Sequence, residues 1–206
     1  MKLTERFHSG YVIDRRVRVL SDHLSELIPD GSSVIDVGCG DGRLAYAIAS
    51  KLANVKIEGI DVLVRKQTFV PVSRFDGQRI PYDDNFFDMA MLVDVLHHTE
   101  DPSALLREAV RVARRSVLIK DHTCDGMLAF PTLKFMDRIG NERYEVTLPF
   151  NYYSKQKWLD VIESLGLRIG AWKNALKLYP WPASLIFDRS LHFISRLDLG
   201  VTSSRA

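Results

Sequence analysis

Gly38, Gly40 and Gly42 follow the apolar run Val34-Ile35-Asp36-Val37, and their spacing has a direct chemical meaning. A strand that runs into Gly-x-Gly-x-Gly and then a helix turns sharply, admits φ > 0 and leaves main-chain N–H groups open to a ligand. Such a loop is a backbone cradle for a nucleotide-type cofactor. Val55-Lys56-Ile57-Glu58-Gly59-Ile60-Asp61 reads as a second buried strand. It ends in an acid about twenty residues on, where an adenosine-type ligand presents its ribose hydroxyls. Asp76 stands where a third strand ends, and the apolar run Met89–Val93 stops at Asp94-Val95-Leu96-His97-His98. Ligands of open α/β sheets bind at the carboxyl ends of strands, so Asp36, Asp61, Asp76 and Asp94 are expected on one edge. Each acid taken alone also reads as a helix cap or a turn residue.

Asp36-x-Gly38-Cys39-Gly40-x-Gly42, Asp61, Phe75-Asp76-Gly77, Asn85-Phe86-Phe87-Asp88 and the Asp94–Thr99 segment together resemble a known family. It is the class I S-adenosylmethionine-dependent methyltransferases with a domain of the Asp-x-Gly-Cys-Gly-x-Gly type, and the likeness runs from Ser33 to Val117. The resemblance implies S-adenosyl-L-methionine as cofactor and S-adenosyl-L-homocysteine as its spent form. It implies that Gly38, Cys39 and Gly40 line the methionine part, with Asp36 on its amino group. Asp61 would bind the ribose, Val62 would pack on the adenine, and Asp76 with Gly77 would reach the adenine edge. Asp94 and Val95 would close the pocket. Carboxylates suit a ligand that carries a sulfonium and an ammonium. The stretch Ile119–Asn151, with Lys120-Asp121-His122 and Gly140-Asn141, resembles bacterial members of the group, with no acceptor implied.

In-line methyl transfer asks a protein mainly to align donor and acceptor and to exclude water. A hydroxyl acceptor also needs a base, and His122 beside Asp121 is the first candidate, since imidazole titrates near neutrality. His97 and His98 compete, and at least one of them reads as structural. Phe130, Phe135, Met136, Tyr144, Phe150, Tyr152 and Tyr153 offer an aromatic surface with hydroxyl tips. His98, Tyr152 and Tyr153 are the acceptor-side candidates, against the alternative that these aromatics pack the loop onto the sheet. Asp94, His97 and His122 could converge as metal ligands. No close spacing such as His-Glu-x-x-His supports that, and no metal is expected.

Helices and strands alternate along the chain, which predicts a doubly wound, Rossmann-like sheet with helices on both faces. Val17, Leu20, Leu24, Leu27 and Ile28 mark a leading helix stopped by Pro29-Asp30-Gly31, and Leu44–Leu52 a helix after the glycines. Asp101-Pro102 starts another, Ser116–Lys120 is a fifth strand, and Ser154 caps a helix carrying Trp158, Val161, Ile162 and Leu165 inward. Leu167–Leu176 and Leu185–Ile194 read as the last strands, which the resemblance pairs as an antiparallel hairpin in a seven-stranded sheet. The expected organisation is a single domain over 1–206. It has a helical segment at 1–32, a cofactor core at 33–120, an irregular acceptor-side lid at 121–153 and a helix and hairpin at 154–197. The tail Thr202–Ala206 looks frayed.

With 206 residues and 46% hydrophobic content, the chain can bury a full core. Cys39 and Cys124 are its two cysteines, too few for a disulfide framework, which suggests a reducing, cytoplasmic setting. The sequence holds neither a spanning apolar run nor a signal-peptide core. A net charge of +2 is too small to indicate a nucleic-acid binder, and Arg15, Arg16 and Arg18 read as a solvated helix face. The acceptor is therefore expected to be a small molecule or lipid-like. Tyr179-Pro180-Trp181-Pro182 reads as a packed turn, with contact to an apolar substrate or membrane surface as the alternative. A nicotinamide-dependent oxidoreductase is the rival enzyme class, but Gly-x-Gly-x-x-Gly and the Tyr-x-x-x-Lys dyad are missing. A catalytically silent cofactor-binding module is the non-enzymatic rival.

Overall fold

The computed structural model describes residues 3–141 and 149–200, and Tyr144 and the tail Thr202–Ala206 lie outside them. Its first elements are α1 (Leu3–Ser25), β1 (Ser33–Val37), α2 (Arg43–Ala49), β2 (Lys56–Asp61), β3 (Val72–Arg74) and β4 (Phe87–Val93). A 3-10 turn (Leu96–His98) leads to α3 (Pro102–Val112), β5 (Ala113–His122), α4 (Ala129–Asn141) and α5 (Lys155–Ser164). The chain then forms β6 (Arg168–Lys173), α6 (Ser184–Phe187) and β7 (His192–Asp198).

The seven strands form one sheet in the order β3-β2-β1-β4-β5-β7-β6. The first five are parallel, and β7 runs antiparallel to both β5 and β6. Their apolar runs are nearly continuous because both faces of the sheet are covered. Ile35, Val37, Ala90, Leu92, Val117 and Ile119 face the core layer that holds α3 and α5. Val34, Met89, Met91 and Leu118 face the opposite layer with α1 and α2. Alternate residues of a strand point to opposite faces, so each run serves two cores. Strand order reverses between β1 and β4, and the loops leaving both open at this switch point.

The expected helix starts are present. Asp101 accepts from the N–H groups of Ser103 at 2.9 Å and Ala104 at 3.0 Å, with Pro102 in the first helical turn. Ser154 accepts from the Lys157 N–H at 3.2 Å, and Trp158, Val161 and Ile162 face inward.

Several boundaries differ from the sequence expectation. The leading helix stops at Ser25, so Leu27 and Ile28 enter the core from the turn beyond it. The fifth strand continues to His122, because pairing with β7 carries its ladder through the Lys120↔Ile194, Asp121↔Phe193 and His122↔His192 positions. The lid expected to be irregular over 121–153 therefore begins inside a strand, and it contains the helix α4. The last strands are Arg168–Lys173 and His192–Asp198, and the expected strand Leu185–Ile194 is wrong at its start. Leu185 and Ile186 lie in α6, where Phe187 N–H bonds back to Ala183 O at 3.0 Å. An apolar triplet fits one helical turn as well as a strand, and periodicity cannot separate the two at that length. Arg15 and Arg16 also depart from the solvated-face reading. The Arg15 guanidinium donates to the carbonyls of Lys177 and Leu178, and that of Arg16 to the Asp94 carboxylate.

Candidate active site

The glycine loop closes back onto β2. Gly38 and Cys39 N–H groups both donate to Ile60 O, at 2.7 and 3.2 Å, and Gly40 N–H donates to Asp61 Oδ2 at 2.7 Å. Gly38 adopts φ +73, and a Cβ there would stand 2.5 Å from Val95 Cγ2. A side chain is thus excluded both by backbone conformation and by the residue that follows Asp94. Gly40, at φ +61, faces open space within the loop.

Asp61 also accepts from the Leu63 N–H at 2.9 Å, so two main-chain donors fix its carboxylate. Asp36 lies beside it at 3% exposure, and burial followed by the charge of Asp61 pushes its carboxyl up to about 8. Burial, then Asp36 and Asp61, also raises the Cys39 thiol. At the far end, a Cβ on Gly77 would lie 3.2 Å from Val62 Cγ1, so these two residues adjoin, and Val62 is exposed. Asp76 closes an exposed turn there, accepting from the N–H groups of Gln78 and Arg79 at 2.8 Å each.

Beyond Val95, a buried ionic cluster fills the space between the ends of β4 and β5 and the helix α4. His97, 1% exposed, places Nδ1 at 2.7 Å from Asp121 Oδ1 and Nε2 at 3.3 Å from Asp137 Oδ2. Burial works against its proton, but the two carboxylates override it and carry His97 up to about 10. Burial likewise opposes the Asp121 charge, while His97 and His122 hold that carboxyl below its usual range. The hydroxyl of Tyr152 donates to Asp137. Asn151 fastens this part of the lid, taking its N–H to His97 O at 3.2 Å and its side-chain amide to Thr99 O at 2.7 Å.

His122 stands with Nδ1 3.4 Å from both Asp121 Oδ1 and His97 Nδ1. Burial first, and Lys120 second, lower it to about 4, so its ring is neutral near pH 7. Asp94 is gripped by Arg16 and Lys120; against burial, these two cations hold its carboxyl well below the ordinary range. Lys120 is fully buried and also lies 3.4 Å from His192 Nδ1.

The structure brings Asp36, Gly38, Cys39, Gly40, Asp61 and Val95 together in the cradle, with Val62, Asp76 and Gly77 at its outer end. His97, Asp121, His122 and Tyr152 share the ionic cluster, and the His98 ring lies 4.0 Å from that of His97. Tyr153 departs from the group, because its ring packs 5.1 Å from the buried Trp158. Asp94 turns toward Arg16 and Lys120, away from the role of a simple pocket wall. Its Oδ1 lies 3.9 Å from His122 Nε2, and Asp94, His97 and His122 do present ligand atoms within 4.8 Å of one another.

Sequence reading missed Arg16, Lys120, Asp137 and His192. Asp137 had a signal: it is an acid on the inward stripe of α4, eight residues after Ala129 and four after Leu133, both buried. His192 was hidden by the misplaced last strand.

Residues 35–120 match the family described as methyltransferase domain. Over 131 residues the chain is 28% identical to 27-O-demethylrifamycin SV methyltransferase of Amycolatopsis mediterranei, across 53% of this chain and 48% of that protein. Over 145 residues it is 23% identical to ajmaline N-methyltransferase of Rauvolfia serpentina, across 56% of this chain and 50% of that one. The match spans about half the length of these curated relatives. A solved Thermotoga maritima S-adenosylmethionine-dependent methyltransferase, described as a possible histamine N-methyltransferase, is similar in fold. Its TM-score is 0.65 at 17% identity, covering 96% of each chain.

Proposed function

We propose that the chain, whose residues 35–120 match the methyltransferase-domain family, is a class I S-adenosylmethionine-dependent methyltransferase that methylates a hydroxyl on an apolar small-molecule or lipid-like acceptor, with His97 as the base. The methyltransferase domain implies S-adenosylmethionine as cofactor. That molecule supplies a methyl group on a sulfonium and leaves as S-adenosylhomocysteine. The cradle fits it. Asp36 is a buried carboxyl raised to about 8 that no ion pair reaches among the described residues, so a cationic ligand would find a partner there. Asp61 would hold the ribose, and Val62 with Gly77 would flank the adenine.

The observation that carries the catalytic part is the position of His97 between two carboxylates, two residues after the Val95 that packs on Gly38. Asp121 orients the ring through Nδ1, and the neutral fraction of His97, which grows as pH rises toward about 10, takes the acceptor hydroxyl's proton at Nε2, both carboxylates stabilising the imidazolium so formed. Asp137 supports the same charge from the Nε2 side, and Tyr152 positions Asp137. His122, lowered to about 4, is too weak a base and serves better as packing beside Asp121. His98 and Tyr152 would line the acceptor, and α4 would exclude water from it.

The apolar character of the acceptor rests on Phe130, whose exposed ring stands 5.9 Å from that of Tyr152. A reducing, cytoplasmic setting accords with the unpaired Cys39 in the loop. The test is production of S-adenosylhomocysteine with a panel of phenolic, enolic and amine acceptors. Turnover with hydroxyl acceptors supports the reading, and turnover confined to amines contradicts it.

A further inference from the structure

We infer that the outer face of α4 and α6 docks on an anionic lipid bilayer. α4 is apolar on two sides. Ala129 and Leu133 face inward with Leu191, while Phe135 and Ile139 point out at 56% and 58% exposure. Met127 and Leu128 continue the outward face before the helix begins, at 93% and 54%. Next to it, the α6 region exposes Trp181, Leu185 and Ile186, with Trp181 at 80%. Arg189 ties the two parts together, donating to Ile186 O at 2.9 Å and to Thr132 Oγ1 at 3.4 Å.

Charge decides which partner this face fits. Across 127–139 and 177–191 the cations Lys134, Arg138, Lys177 and Arg189 are exposed. The acids of the same two stretches, Asp137 and Asp188, both turn inward. Asp137 goes to His97 and Tyr152, and Asp188 accepts from the N–H groups of Leu178 and Tyr179 at 3.2 Å each. The outward surface is therefore apolar and cationic without a compensating carboxylate from these segments. A headgroup region with anionic phosphates takes both features at once, with Trp181 at the interface and the Lys134 and Arg138 stems lying along the apolar atoms. A second copy of the same face would instead bring like charges together.

This extends the lipid-like reading of the acceptor, but it is tested by binding alone. The full chain is mixed, without cofactor, with vesicles of phosphatidylcholine or of phosphatidylcholine plus phosphatidylglycerol. Sedimentation and tryptophan emission are then read. The expected result is partitioning onto the anionic vesicles with a blue shift that Trp181→Phe removes, since Trp158 is buried already and Trp172 stacks on Phe193 at 4.4 Å, away from this face. Lys134→Gln and Arg138→Gln should each weaken partitioning about fivefold, and Ile139→Ser should weaken it further while circular dichroism stays unchanged. Equal binding to both vesicle types, no binding, or a salt-stable dimer in solution dispersed by Ile139→Ser would overturn the inference. Lost vesicle binding alongside turnover of a soluble acceptor would sink only the docking surface. Vesicle binding with no turnover on any acceptor would sink only the proposed reaction.

Discussion

His97 Nδ1 lies 2.7 Å from Asp121 Oδ1, joining the turn after β4 to the end of β5 within a fully buried cluster. If His97 is the base, its neutral form is the active one. The rate should therefore rise with pH toward an apparent value near 10. A base at His122 would give a profile already flat above about 4. Asp121→Asn should lower kcat about 100-fold and shift the rise to lower pH, because the imidazolium loses a carboxylate. A flat kcat profile across the neutral and alkaline range would remove His97 from the role.

Stability should peak near pH 6.5 in the cofactor-free protein. His97 binds its proton more tightly folded than unfolded, so its contribution is complete below 6.5 and is lost as pH rises toward about 10. Asp36, raised to about 8, acts in the same sense, losing its contribution between the ordinary carboxylate value and about 8. His98, His122 and His192 act oppositely. Burial lowers all three, so the unfolded chain takes up their protons first and stability falls as pH drops below 6.5. Below 6.5 these three histidines outweigh Asp36, and above it the losses from His97 and Asp36 set in, with Lys120, which burial lowers, acting in the opposite sense at alkaline pH. Urea unfolding across this range checks the sign on each side.

Asp94→Asn keeps a side chain suited to the left-handed backbone at φ +56 but strands Lys120 and Arg16 without their carboxylate. Breaking a buried pair from one side costs about 3 kcal/mol. Burial already lowers Lys120, so part of this loss should return at alkaline pH as its proton leaves. Denaturant midpoints at neutral and alkaline pH measure both effects.

The cradle was legible in the sequence because it is local. Glycines, the buried strand and the acids at 36 and 61 follow one another along the chain, and strand–loop–helix geometry does the rest. Asp101-Pro102 and Ser154 announced their helices for the same reason. The ionic cluster was only half legible. His97, Asp121 and His122 stood out by type, but which of them carries the proton depends on burial and on Lys120 and Asp137, which arrive from β5 and α4. Burial and those partners set His122 and His97 about 4 and about 10, a division that no local spacing encodes. Tyr152 and Tyr153 are adjacent in sequence, yet one meets Asp137 and the other Trp158.

Chelation should leave turnover unchanged. Asp94, His97 and His122 come close enough to hold an ion, but Arg16 and Lys120 already neutralise Asp94, and His97 carries a proton between Asp121 and Asp137. Activity measured after dialysis against a chelator, and again after adding divalent zinc or manganese, checks this. A loss that the metal restores would contradict the assignment.

Calorimetric titration of the protein and its Asp61→Ala variant with S-adenosylmethionine tests the central claim most directly. Asp61 is held by Gly40 and Leu63 N–H groups at the mouth of the glycine loop. The account predicts binding by the parent chain and an affinity weakened about 100-fold in the variant, with the fold retained by circular dichroism. Unchanged affinity in a folded variant, or tight binding of a nicotinamide cofactor with none of S-adenosylmethionine, would contradict it.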